Sequence, residues 1–87
     1  MTAKHQEMMA LPVEKRREHF RNVYSLELGR AHANGGYVWP IERLPVLVGM
    51  VMADISKRRV PSGPAYDATM SFFGLTTQKA LFAFLEF

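Results

Sequence analysis

The sequence of 87 residues contains no cysteine and no apolar run long enough to cross a membrane. Without thiols the chain has no disulfide bond, no thiolate zinc site and no cysteine nucleophile. The longest apolar segment, residues 45–53, is less than half of the roughly 20 residues that a bilayer requires. The first twenty residues also lack the apolar core of a signal peptide. We therefore expect a cytoplasmic protein that has no contact with membranes.

Motifs for catalysis and for cofactor or metal binding are also scarce. His5, His19 and His32 lie far apart in the sequence, whereas a metal site needs ligands that converge. The glycines at 34–36 and 62–64 are typical of turns, and neither segment matches a phosphate-binding loop. No serine lies in a nucleophile elbow. The sequence predicts a protein that is not an enzyme and that needs neither a cofactor nor a metal.

Apolar side chains are abundant in this short chain. Hydrophobic residues make up 48% of it and charged residues only 22%, a balance typical of a globular chain. Its length allows one small domain, residues 1–87, of which residues 1–11 are expected to be loosely ordered. The net charge of +3 is compatible with contact to nucleic acid or to an acidic protein, and requires neither.

Loop signals at 33–40, 60–64 and 74–76 divide the chain into about four helices. We predict an all-α fold, a small bundle whose helices run from Pro12 to His32, from Trp39-Pro40 to Arg59, from Ala65 to Phe73, and from a cap at Thr76 or Thr77 to the terminus. The second helix is apolar nearly all round, which predicts a position at the centre of the bundle. Its valine content leaves an alternative open, a short strand at 36–39 or 46–52.

The aromatic content indicates a surface for a macromolecular partner. Six Phe, six Met, three Tyr and one Trp are many for the core of so small a domain, so some should stay exposed. Three cations at the end of the second helix should steer this surface toward an acidic partner. The predicted partner-binding residues are Phe72, Phe82 and Phe87 in the C-terminal hairpin, Tyr37 and Trp39 in the loop, and Lys57, Arg58 and Arg59.

The alternative is a regulator that binds DNA or RNA. Residues 66–87 resemble the helix-turn-helix pattern in outline: a helix, a turn glycine, a Thr-Thr cap and a second helix. However, the second helix lacks the polar outer face that base recognition needs, so an ordinary αα-hairpin is the preferred interpretation. The cations available for this alternative are Arg16, Arg17, Arg21, Lys57, Arg58, Arg59 and Lys79.

The function expected from the sequence is association without catalysis. We predict a small helical protein that binds another protein, a protein complex or a second copy of itself through an apolar, aromatic surface flanked by basic residues. Compact, cysteine-free chains with few motifs are typical of the inhibitors and regulators of host machinery that phages and mobile elements encode.

Overall fold

The computed structural model describes residues 3–87 and shows an all-α bundle. Its helices are α1 (Ala3–Met9), α2 (Val13–Ala33), α3 (Leu44–Ser56), α4 (Pro64–Phe72) and α5 (Gln78–Leu85), with a 3-10 turn, Ile41–Arg43, leading into α3. No residue from 3 to 87 is in a strand. The alternative of a strand at 36–39 or 46–52 is therefore wrong, because 36–39 is loop and 46–52 lies within α3.

The ends of α2 lie where the sequence predicts them. Pro12 precedes the first helical residue, and its fixed φ suits the start of a helix. At the other end, Gly35 adopts a left-handed φ of 77°, and the N–H of Gly36 donates to the carbonyl of Ala31 at 2.8 Å. Glycine thus ends α2 without the steric cost that a Cβ would add.

The connection between α4 and α5 also follows the predicted turn chemistry. Gly74 has a φ of 68°, which ends α4, and the N–H of Leu75 donates to the carbonyl of Met70 at 2.9 Å. The hydroxyl of Thr77 then accepts a hydrogen bond from the N–H of Ala80 at 3.0 Å and caps α5. The two helices consequently form a hairpin with a short turn.

The core lies between α2 and the C-terminal hairpin. Phe20 of α2 stacks on Phe73 with ring centroids 5.7 Å apart, and Phe73 contacts Phe84 of α5 at 5.3 Å. All three rings are fully buried. Because α2 packs against α3, α4 and α5, it is the central helix of the bundle.

The helix predicted to lie at the centre of the bundle is α3, and this prediction is wrong. Of the residues in α3 only Val48 and Ile55 are buried, whereas Val46 is 63% exposed and Met50 58% exposed. Packing of α3 against α2 covers one face of the helix, and the opposite face stays in solvent. A helix with apolar residues on every side is able to be buried. Which of its sides are buried depends on the helices that pack against it.

The N-terminal segment contributes a short helix, and residues 1 and 2 lie outside the described residues. Ala3–Met9 forms α1, and Met8 packs against the core. The ammonium of Lys4 lies 3.7 Å from the centroid of the Phe72 ring, and a ring nitrogen of His5 lies 3.3 Å from the carbonyl oxygen of Phe73. α1 therefore covers part of the C-terminal hairpin.

Candidate interaction surface

The outer side of α3 is a continuous apolar surface. Each of its outward-facing residues between positions 45 and 53 is exposed, and none of them carries a polar side chain. We call this surface the α3 face; it consists of Pro45, Val46, Gly49, Met50 and Ala53. An exposed helix normally shows charged or polar residues on its solvent side. A contiguous apolar patch on the surface instead indicates contact with another molecule.

Two opposite charges lie at the two ends of the α3 face. At 100° per residue, positions 46, 49, 50 and 53 gather along one line of α3. Residue 42, in the 3-10 turn before the helix, and residue 57, directly after the helix, lie four positions beyond the two ends of this line. Glu42 and Lys57 occupy these positions, and both are exposed. Neither forms an ion pair within the part of the chain that the structure describes, residues 3–87. Both charges are thus free to meet a partner.

Gly49 lies in the middle of the α3 face and lets another backbone approach closely. Glycine inside a helix costs about 1 kcal/mol relative to alanine. A Cβ at this position would meet no atom within 4 Å, so packing inside the bundle does not require glycine here. A surface helix with glycine at the centre of an apolar stripe presents a shallow depression to a neighbouring helix.

The structure brings together some of the predicted aromatic anchors but not all of them. Phe82 and Phe87 border an open groove beside α5, together with Arg58 and Lys79. Phe72 lies at the end of α4, beneath Lys4 of α1, and does not line this groove. The C-terminal hairpin therefore has no single patch that contains all three phenylalanines.

Cations cover the rings of the C-terminal hairpin. The guanidinium of Arg17 lies 4.3 Å from the ring centroid of Phe87, and that of Arg58 lies 5.2 Å from Phe82. Both rings are half-buried, whereas Phe72 remains 45% exposed. A cation over an aromatic face is attractive and also shields that face from a partner. Of these three rings only that of Phe72 is exposed, and the ammonium of Lys4 lies over it.

Tyr37 and Trp39 pack against the end of α2. The Trp39 ring lies 4.5 Å from the ring of His32 and 6.0 Å from that of Tyr37, and both aromatic residues are half-buried. A ring nitrogen of His32 is 2.6 Å from the carbonyl oxygen of Trp39. This loop is thus held to the bundle by its own side chains. Nearby in the core, burial raises the pKa of Tyr24 to about 12, with a further contribution from Tyr37.

The basic residues after α3 do not share one role. Lys57, Arg58 and Arg59 are all exposed, but the guanidinium of Arg58 donates to the main-chain oxygen of Phe87 at 3.0 Å. Arg58 has a left-handed φ of 62°, which turns the chain at this point. Lys57 and Arg59 form no ion pair with any residue from 3 to 87.

Arg16 and Arg17 are anchors of the C-terminal segment, a role that sequence reasoning missed. Arg16 is only 8% exposed and donates to the carbonyl of Phe84 at 2.6 Å. Arg17 donates to the carbonyl of Leu85 at 2.8 Å and to that of Glu86 at 3.1 Å. With Arg58 on Phe87, four consecutive main-chain oxygens at the end of α5 accept from arginines. No local signal in the sequence reveals these contacts, because Arg16 and Arg17 are 68 or 69 positions away from the residues whose carbonyls they bind.

This arrangement reduces the cationic surface available to nucleic acid. Arg16 is buried, and Arg17 is bound to the end of α5, so neither presents a free charge to a phosphate. Arg21 and Lys79 are exposed, on α2 and α5 respectively. On α5, Lys79 is the only cationic side chain, and the other exposed positions are Gln78, Ala83 and the capping Glu86.

Among residues 3–87 no three His, Asp or Glu side chains are grouped so that they could hold a metal ion. None of the helices described is both long and apolar enough to cross a membrane. Comparison with known proteins gave no matching family model, no matching curated protein and no matching solved structure. The function must therefore be inferred from the surface of this chain itself.

Proposed function

We propose that this chain is a small helical protein-binding protein and that the α3 face is its docking surface. The expected partner is a protein surface that carries an apolar stripe. Beside this stripe it should carry a carboxylate, at the place where the C-terminal end of α3 makes contact. The observation that carries this proposal is the absence of any polar side chain at the five outward positions of the α3 face. Lys57 at the end of the face supplies the complementary charge.

The energetics favour covering this surface. Fully burying a Val or Met side chain contributes about 1.5–3 kcal/mol relative to full exposure. Val46 and Met50 retain more than half of their exposure, so a partner could gain about 1 kcal/mol or more from each. These residues lie side by side on one helix, and the gain would come from a single contact.

The proposal moves the main docking surface away from the C-terminal hairpin. Cations lie over the rings of Phe82 and Phe87, whereas the five residues of the α3 face are exposed. The groove beside α5 remains a candidate for a secondary contact, since Arg58 and Lys79 border it. A role as an inhibitor or regulator, and a cytoplasmic location, are parts of the same proposal.

A matched pair of substitutions tests the docking surface. Val46→Glu places a carboxylate on the α3 face, and Leu26→Glu places one on α2 at a position with the same 63% exposure. Both should leave the helical circular dichroism and the melting temperature nearly unchanged, because neither side chain is buried. In pull-downs with tagged protein, Val46→Glu should lose the partners that the wild type and Leu26→Glu retain. Equal partner sets for all three proteins would contradict the proposal.

A further inference from the structure

The ends of the α3 face carry opposite charges, and this makes the face complementary to itself. Glu42 marks the N-terminal end of the stripe and Lys57 the C-terminal end, with only apolar residues between them. A surface with an acid at one end and a base at the other matches a copy of itself turned by 180°. We infer that the occupant of the α3 face is a second copy of this chain, packed with its α3 antiparallel. The inference rests on the proposed function and names the partner.

The residue spacing fits a two-fold axis between Gly49 and Met50. Such an axis places Val46 opposite Ala53 of the second copy, so that a larger side chain meets a smaller one. Gly49 then lies opposite Met50 of the second copy, and the glycine leaves room for the longer side chain. The axis also places Glu42 opposite Lys57 of the second copy, twice in each dimer.

Charge favours the antiparallel arrangement over the parallel one. Two parallel copies of α3 would align Glu42 with Glu42 and Lys57 with Lys57, and like charges at close range repel. Antiparallel helices also bring the negative C-terminal end of one helix dipole beside the positive N-terminal end of the other. Arg43 and Asp54, both exposed, lie near opposite ends of the face and are brought near each other in the antiparallel pair only.

The size of the face sets the expected affinity. A helix of 13 residues is about 20 Å long, so the contact is smaller than the roughly 800 Å² per partner of a typical stable complex. We therefore expect a dimer that dissociates in the range of about 10 µM to a few hundred µM. Sedimentation equilibrium from about 5 µM to about 1 mM covers this range and measures the dissociation constant directly.

A charge-swap experiment tests the antiparallel arrangement. Glu42→Lys puts two Lys–Lys contacts into its own dimer, and Lys57→Glu puts two Glu–Glu contacts into its own. Each variant alone should dimerise about tenfold more weakly than the wild type, since the pairs are exposed and each occurs twice. An equimolar mixture of the two should recover the wild-type affinity, because both contacts in the mixed dimer again join opposite charges. A mixture no stronger than the separate variants would overturn the arrangement.

A second variant separates this inference from the proposed function. Met50→Glu brings two carboxylates together at the axis and should abolish dimerisation over the whole concentration range, while Leu26→Glu should dimerise like the wild type. A wild type that stays at the mass of one chain at every concentration would overturn the inference. If Val46→Glu nevertheless lost partners in the pull-down, the docking surface would stand with a different occupant. A dimer that Met50→Glu does not weaken would count against both.

Discussion

Arg16 is the side chain whose removal should most weaken the end of α5. We expect Arg16→Met to unfold at a markedly lower denaturant concentration than the wild type. Methionine keeps an unbranched apolar stem of similar length, so the change isolates the guanidinium. That group donates to the carbonyls of Phe84 and Leu11 and to the carboxylate of Glu86.

The magnitude follows from how buried each acceptor is. The Phe84 carbonyl takes the shortest bond, at 2.6 Å, and that bond is buried, so losing it leaves an unsatisfied acceptor at a cost of about 1–3 kcal/mol. The Glu86 side chain is 56% exposed, and its ion pair contributes less than about 1 kcal/mol. The bond to Leu11 is longer, at 3.2 Å, and only partly buried. Since dehydrating the guanidinium opposes these gains, we expect a net loss of about 1–3 kcal/mol.

A loss of this size is large for a domain of this length. The total free energy of unfolding should be roughly 4–13 kcal/mol, and each kcal/mol lowers the melting temperature by about 4–8 °C. The melting temperature of Arg16→Met should therefore fall by roughly 4–24 °C.

The assay is urea unfolding followed by circular dichroism and by the fluorescence of Trp39. Arg21→Met is the matched control, because Arg21 lies on the same helix and is exposed. Its guanidinium forms no hydrogen bond or ion pair with any residue from 3 to 87. The control should change stability by less than about 0.5 kcal/mol. If Arg16→Met were as stable as Arg21→Met, the carbonyls at the end of α5 would not depend on this arginine, and the reasoning would be refuted.

Two tyrosines give the remaining predictions. Burial raises the pKa of Tyr24 to about 12, so its neutral form is favoured in the folded state, and the stability present below pH 10 should be lost as the pH rises toward 12. The free energy of unfolding should drop by about 2–3 kcal/mol over this interval, and Tyr24→Phe should flatten the drop; an unchanged slope in the variant would contradict the assignment. The hydroxyl of Tyr66 is buried and has no hydrogen-bond partner among the described residues, so Tyr66→Phe should keep or raise the stability by up to about 1 kcal/mol in urea unfolding. A loss of more than 1 kcal/mol would show that the hydroxyl is bonded in solution.

The ends of α2, the end of α4 and the start of α5 were predictable because local chemistry sets them, whereas the second helix, predicted from Trp39-Pro40 to Arg59, spans only Leu44–Ser56 in the structure. Gly35 and Gly74 adopt left-handed conformations at the ends of α2 and α4, and the hydroxyl of Thr77 caps α5. Each of these signals acts within four residues of the boundary that it fixes. The all-α class then follows, since the helices together account for most of the chain.

The contacts of the arginines were not predictable, because they depend on where distant segments meet. The sequence pairs Arg17 with Glu14 and Arg21 with Glu18, three positions apart. In the structure Arg17 bonds to Leu85 and Glu86, and Glu18 pairs with Lys15 at 3.6 Å. Glu27 and Arg30, also three positions apart, do pair, at 2.8 Å. An exposed local pair is weak, so a long-range acceptor at a helix end easily replaces it.

The observed surface differs from the expected one in two ways: the aromatic residues of the hairpin are partly covered, and the outer side of α3 is exposed. Both differences follow from where the other helices pack. α1 lies against the C-terminal hairpin, with Lys4 on Phe72 and His5 beside Phe73. Arginines of α2 cover the same hairpin, and so the aromatic residues predicted to be exposed are partly hidden. None of the helices described in residues 3–87 lies on the outer side of α3, the most apolar stretch of the chain. Because α1 is used to cover the hairpin, the apolar α3 face stays exposed, and a contiguous exposed apolar surface is the feature on which the proposed docking surface rests.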